Sequence, residues 1–279
     1  MDPIVSTRWL SGAGENVVLV DVRWYADGRD ARTEFSSGHL PGAVLAPLDE
    51  ACSAPASEQR GRHPLPSPAT FADSMSALGI GDGDVVIAYD DAGGVVAARL
   101  VWMLRALGHE AALLDAGTGP FPETGPGPPP PRVTPPLTVP REWPSRLLAS
   151  IDEVAAADGE AGSVLIDARP RDRFEGAPDA LDPRAGHIPG ARSLPCREHL
   201  GADGRLLAVD QLRVRLAEVG IDGADQSFIS SCGSGVTACH NLLVAEHAGL
   251  RGGRLFPGSW SQWSRDPARP VATETGTGR

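Results

Sequence analysis

The sequence predicts an α/β chain of two tandem domains, each a parallel β-sheet flanked by α-helices. Three observations carry this expectation: landmarks that recur in the same order in both halves, short β-branched runs that alternate with stretches of helical spacing, and a proline-dense segment between the halves. The first landmark is Asp21-Val22-Arg23 after the apolar run 17–20, answered by Asp167-Ala168-Arg169 after 164–166. The second is Gly38-His39-Leu40-Pro41-Gly42-Ala43, answered by Gly186-His187-Ile188-Pro189-Gly190-Ala191. The third is the run 85–89 entering Asp90-Asp91-Ala92-Gly93-Gly94, answered by 228–231 entering Cys232-Gly233-Ser234-Gly235. Three matched landmarks in one order indicate internal duplication.

Taken in chain order, 17–20, 85–87, 164–166 and 228–230 are short apolar runs of the kind that form buried parallel strands. The stretches 95–107 and 237–247 carry apolar residues at helical spacing. Strands alternating with helices favour a parallel sheet covered by helices, and such sheets build their sites at the carboxyl ends of the strands. Between the halves, 120–140 is so rich in proline that neither a helix nor a central strand can form there, and an extended connector is expected. The domains are therefore set at 1–122 and 141–279, with 123–140 as linker. The tail 266–279, rich in Pro, Thr and Gly, is expected to fray.

Composition excludes several functions. The 279 residues carry 36 Asp and Glu against 25 basic residues, a formal charge of −11, so nucleic acid is not expected as a partner. Every basic residue is arginine, which removes lysine Schiff-base chemistry, including pyridoxal phosphate attachment. The four cysteines, Cys52, Cys196, Cys232 and Cys239, form no C-x-x-C pair, so neither a disulfide scaffold nor a structural zinc site is expected. No apolar run approaches the ~20 residues that span a bilayer, and the first residues lack a signal-peptide pattern. A cytoplasmic chain with no membrane partner is expected, with its thiols free for chemistry.

The sharpest local feature is Ser231-Cys232-Gly233-Ser234-Gly235-Val236-Thr237-Ala238. A strand leads directly into Cys232 and a helix opens a few residues later. Two glycines allow the turn between them to take positive φ. A chain that turns this tightly points successive N–H groups inward as an anion nest, and the helix N-terminus adds to the field. A thiolate is favoured in such a place. Cys52, Cys196 and Cys239 have no such loop and read as packing residues.

Chemistry narrows next. A cysteine phosphatase needs an arginine six positions after its nucleophile to grip phosphoryl oxygens; here that position is Ala238. No local cysteine-protease signature is present. The remaining use is attack on a sulfur atom, the nest holding the resulting persulfide, with no metal or organic cofactor required.

On these residues the chain resembles the tandem-domain rhodanese family of sulfurtransferases, from the Asp21 region to Gly258-Ser259-Trp260. The resemblance implies one active site, in the second domain at the domain interface, with Asp91 standing in the first copy where Cys232 stands in the second. Members that prefer thiosulfate carry Cys-Arg-Lys-Gly-Val-Thr, whereas Cys-Gly-Ser-Gly-Val-Thr here is similar to 3-mercaptopyruvate sulfurtransferases. Without two loop cations, capture of a small dianion is weakened, and a carboxylate substrate needs its arginines elsewhere. By resemblance, Arg173 holds the pyruvate carboxylate and Arg184 is a candidate second clamp. The cradle falls on Gly233, Gly235, Val236 and Thr237.

The family's proposed proton relay maps onto Ser234, His63 and Asp49. His63 lies in a first-domain insertion, visible as 52 positions from His39 to Asp91 against 45 from His187 to Cys232. Arg23, Arg169, His39 and His187 read as structural. The expected reaction takes a sulfane sulfur from a small-molecule donor, 3-mercaptopyruvate, to an acceptor thiol (a thioredoxin-like protein or a small thiol) or to cyanide. Two alternatives remain open: thiosulfate as the donor, or a non-catalytic binding or redox-sensing module with the same fold.

Overall fold

A computed structural model describes residues 1–12, 14, 16–119, 121, 134–157, 163–178 and 180–273. Most of the expected linker (123–133) and the last part of the expected frayed tail (274–279) lie outside these residues. The chain divides into two units. The first comprises residues 1–54, 65–144 and 200–206; the second comprises 55–64, 145–199 and 207–279. The sequence break at the proline-dense segment is thus accompanied by two short exchanges. The more consequential is 55–64, which contains His63 and packs with the second unit, although it sits in the first half of the sequence.

The first unit runs β1(Ile4–Ser6), α1(Thr7–Leu10), β2(Val17–Asp21), α2(Ala31–Ser37), β3(Val44–Leu45), α3(Leu48–Ala51), α4(Pro68–Ala77), β4(Val85–Tyr89), α5(Ala98–Ala106) and β5(Ala111–Asp115). Its five strands are parallel, in the order β1-β5-β4-β2-β3. Crossover connections of this kind require an intervening segment, and the helices supply it. Ser67 caps α4 by accepting from the Thr70 N–H at 3.1 Å, and Pro68 follows at the first helical position, where its missing donor costs nothing. Val5, Phe35, Ile87, Tyr89, Ala112 and Leu114 form a buried cluster drawn from the strands and α2.

The second unit repeats this plan with α6(Ile151–Ala156), β6(Val164–Asp167), α7(Arg171–Glu175), β7(Arg192–Ser193), α8(Val209–Glu218), β8(Phe228–Ser231), α9(Ala238–His247), β9(Gly253–Leu255) and α10(Ser259–Trp263). A 3₁₀ turn, Cys196–His199, takes the place of α3. The sheet order is β7-β6-β8-β9, again all parallel. A single parallel bridge from Leu148 to Leu255 marks where β1 would lie. Val154, Leu165, Ile188, Ile229, Phe256, Trp260 and Trp263 form the core of this unit, so two tryptophans of α10 anchor that helix.

The duplication extends to buried polar contacts. Arg23 grips Asp21 through Nε and Nη2 at 2.7 and 2.8 Å and donates to the Gly38 carbonyl at 2.7 Å. Arg169 grips Asp167 and donates to the Gly186 carbonyl at 2.8 Å. His39 donates from Nδ1 to the Phe35 carbonyl and stacks on the Phe35 ring; His187 does the same with Phe174, at a centroid distance of 3.6 Å. Burial lowers the pKa of the His187 ring, consistent with a neutral donor. These four residues are structural, as expected: each pair ties the end of a strand to the Gly-His-x-Pro-Gly turn.

The tail expectation is corrected for the described residues. His187 and Ala272 exchange backbone hydrogen bonds at 2.8 and 3.0 Å, and Trp263 Nε1 donates to the Pro270 carbonyl at 2.8 Å. Composition suggested fraying, but backbone pairing holds the chain through this region.

Candidate active site

Strand β8 ends at Ser231, which lies beside Asp167 of β6, and Ala168 N–H donates to the Ser231 carbonyl at 2.8 Å. Cys232 is the next residue and leaves the sheet at its carboxyl end. The loop 232–237 is held by its backbone. Cys232 N–H donates to the Ser259 hydroxyl at 3.1 Å, and that hydroxyl donates to the Phe256 carbonyl at 2.8 Å. The Cys232 and Gly233 carbonyls accept from Trp260 N–H and Ser261 N–H at 2.9 and 2.8 Å. Ser259 has φ of +49°, alone among the described non-glycine residues in being positive. Such a conformation is costly for a side-chain-bearing residue and persists where surrounding contacts demand it.

Gly235 is the turning point. Its φ is +77°, and a Cβ there would stand 2.4 Å from the Pro257 carbonyl oxygen, so no other residue fits. In this position its N–H donates to Cys232 Sγ at 3.0 Å. Cys232 itself is 2% exposed. Beside it the Ser234 hydroxyl lies 2.7 Å from Nδ1 of His63, both residues buried. The pair the sequence nominated is brought together by the segment 55–64.

The first unit shows what this loop shape holds. Asp21 pairs with Tyr89 as Asp167 pairs with Ser231, so the residue that follows β4, Asp90, is the counterpart of Cys232. This corrects the expectation that Asp91 takes that place. The Asp90 carboxylate is buried and accepts four backbone N–H groups, from Ala92, Gly94, Val96 and Ala97, at 2.6–2.8 Å. Asp91 instead receives the Tyr25 hydroxyl at 2.6 Å.

Comparison with known proteins supplies the family of this chain. The sequence model of the family described as Rhodanese-like domain matches residues 8–120 and again 150–266. The chain belongs to the rhodanese family of sulfurtransferases. It is 39% identical over 253 residues to a Pseudomonas aeruginosa protein named "Probable 3-mercaptopyruvate sulfurtransferase", covering 86% of each chain. It is 31% identical to the thiosulfate sulfurtransferase of Gallus gallus, covering 97% of this chain and 96% of that one. The solved 3-mercaptopyruvate sulfurtransferase from Leishmania major superposes with a TM-score of 0.80 at 30% identity, over 94% of this chain and 74% of that one.

Within this rhodanese chain the remaining nominated residues fall into different places. Arg173 lies in α7, directly after β6, and is partly exposed at the same end of the sheet as Cys232. Arg184 is corrected: Nε, Nη1 and Nη2 donate to the carbonyls of Ser264, Arg269, Trp263 and Asp266 at 2.6–3.0 Å. Its guanidinium binds the end of α10 and the chain after it, which leaves little of the fork for a substrate. Asp49 lies on an exposed face of α3, in the first unit. Gly233, Val236 and Thr237 line the loop between Cys232 and α9.

The other cysteines are buried free thiols. Burial pushes the Cys196 thiol up to about 12, which suits a packing residue. The sequence reading missed Arg62, one residue before His63, whose Nη2 stands 3.2 Å from where a Gly233 Cβ would be. The only signal was its place in the segment Arg60-Gly61-Arg62-His63.

Proposed function

We propose that this chain moves a sulfane sulfur from 3-mercaptopyruvate, through a persulfide on Cys232, to an acceptor thiol or cyanide. The observation that carries the reading is a sulfur at the end of a central strand, receiving the Gly235 N–H at 3.0 Å, with the Ser234–His63 pair beside it. The filled loop around Asp90 supports it, since the equivalent turn gathers four N–H groups on one anion.

The steps balance as covalent catalysis in two halves. The Cys232 thiolate attacks the donor sulfur, an S–S bond forms, and the C–S bond breaks with its electron pair leaving on the pyruvate enolate. The enolate takes a proton delivered through the Ser234–His63 pair. Loop N–H groups of Gly233, Gly235, Val236 and Thr237 cradle the persulfide, and Arg173 faces the donor carboxylate. An acceptor thiolate, from a thioredoxin-like protein or a small thiol, then attacks the outer sulfur and releases Cys232. With cyanide the product is thiocyanate.

Steady-state kinetics with both donors tests the assignment. kcat/KM is higher for 3-mercaptopyruvate than for thiosulfate on this reading, and the reverse order overturns the donor.

A further inference from the structure

We infer that Arg62, held in place by Asp182, grips the anionic end of the sulfur donor beside Cys232. The inference rests on the persulfide reading above and identifies the arginine that the loop itself lacks. A guanidinium has five N–H donors arranged on two usable edges. In Arg62 the end-on edge is engaged: Nη1 donates to the Leu181 carbonyl at 2.9 Å and to Asp182 Oδ1 at 3.0 Å, with Nη2 3.5 Å from Oδ2.

The side-on edge, Nε with Nη2, is the one by which Arg23, Arg169 and Arg171 each take a carboxylate. Arg23 takes Asp21 that way at 2.7 and 2.8 Å, and Arg171 takes Glu198 at 2.7 Å through both atoms. In Arg62, among the described residues, the only carboxylate oxygen touching this edge is Asp182 Oδ2, at 3.5 Å from Nη2. Nε is buried without a hydrogen-bond acceptor among the described residues, and Nη2 stands 3.2 Å from the point a Gly233 Cβ would occupy. A buried donor without an acceptor is unfavourable, and a planar carboxylate arriving at this edge supplies one.

The placement is built into the backbone. Arg62 N–H donates to the Ser261 hydroxyl at 3.0 Å, and Ser261 N–H donates to the Gly233 carbonyl at 2.8 Å, so one serine braces both the arginine and the cysteine loop. Gly61 makes the approach possible: its φ is +86°, and a Cβ would stand 2.6 Å from Ser261 Oγ and 2.7 Å from the Gly258 carbonyl oxygen. Gly233, lacking a side chain, leaves the guanidinium room. Asp182, whose side chain is 1% exposed, offsets part of the positive charge. The site therefore favours a donor with one carboxylate over a compact dianion, and it does so inside a chain whose overall charge of −11 repels anions.

The test compares Arg62→Gln, Arg62→Lys and the double variant Arg62→Gln/Asp182→Asn with the wild-type chain. For Arg62→Gln the KM for 3-mercaptopyruvate rises about tenfold or more while kcat stays within about threefold, the signature of lost donor binding. The inhibition constant of pyruvate rises in parallel, and the KM for thiosulfate changes less. Arg62→Lys falls between, because it keeps the charge and loses the fork. The double variant leaves no unpaired buried carboxylate and shows the same rise in KM, which separates the effect from misfolding. Folded variants with unchanged KM and unchanged pyruvate inhibition overturn the role of Arg62 alone. A wild-type chain that takes sulfur from neither donor overturns the persulfide reading, and this inference with it.

Discussion

Asp90 occupies in the first unit the position that Cys232 occupies in the second: each is the first residue after a strand whose last residue pairs with the aspartate of an Asp-x-Arg landmark. The two side chains meet similar surroundings in different ways. Cys232 Sγ receives the Gly235 N–H, whereas the Asp90 carboxylate receives four N–H groups and closes its own loop. One copy of the duplicated loop is filled by a carboxylate of the protein, and the other holds the Cys232 thiol.

Replacing Asp90 tests that view. Asp90→Asn retains the shape but turns one acceptor oxygen into a donor, so two backbone N–H groups lose their partner. Stability falls by about 2 kcal/mol or more, read as a lower denaturant midpoint, while kcat of the folded protein stays near wild type. An unchanged midpoint contradicts the filled-nest account.

The contact between His63 and Ser234 makes a donor-dependent prediction. Pyruvate leaves as an enolate and needs a proton, whereas sulfite leaves thiosulfate without one. His63→Ala and Ser234→Ala therefore lower kcat with 3-mercaptopyruvate by about 10²–10⁴-fold, and lower turnover with thiosulfate far less. Equal losses with both donors point to a structural role for the pair.

Two buried histidines set an acid limit. His199, in the 3₁₀ turn, and His240, in α9, have ring centroids 6.0 Å apart, and His199 Nε2 donates to Asn241 Oδ1 at 3.1 Å. Burial lowers their pKa values to about 4 and about 3, from 6.5. Both are neutral when folded and take up protons when unfolded, so their stabilising contribution is complete above pH 6.5. It is lost as the pH falls toward 4, each group contributing up to about 1.4 kcal/mol per pH unit. Urea denaturation between pH 6.5 and 5, above the range of most carboxylates, shows this slope, and His240→Leu makes it shallower. A flat profile in the wild-type chain rejects the assignment.

Much of this was legible in sequence because the relevant signals are local. The Asp-x-Arg and Gly-His-x-Pro-Gly landmarks lie within a few residues of the strands they terminate, and the glycines around Cys232 mark a turn that few other sequences make. The offset between Asp90 and Asp91 was not legible. The first loop runs over 90–97 before α5 and the second over 232–237 before α9, so counting from the helix and counting from the strand disagree. Sheet register decides between them. Arg184 looked available because its carbonyl partners come from the end of α10 and beyond, some eighty positions away. Arg62 carried no signal of its own in the sequence for the same reason: Asp182 and Gly233 reach it only through the tertiary fold.

Intact-mass spectrometry gives the most direct test that Cys232 carries the transferred sulfur. Incubation of the purified chain with 3-mercaptopyruvate adds ~32 Da, a thiol acceptor or cyanide removes it, and Cys232→Ser neither gains the mass nor turns over. A wild-type chain whose mass stays unchanged during turnover, or a Cys232→Ser variant that still transfers sulfur, contradicts the account.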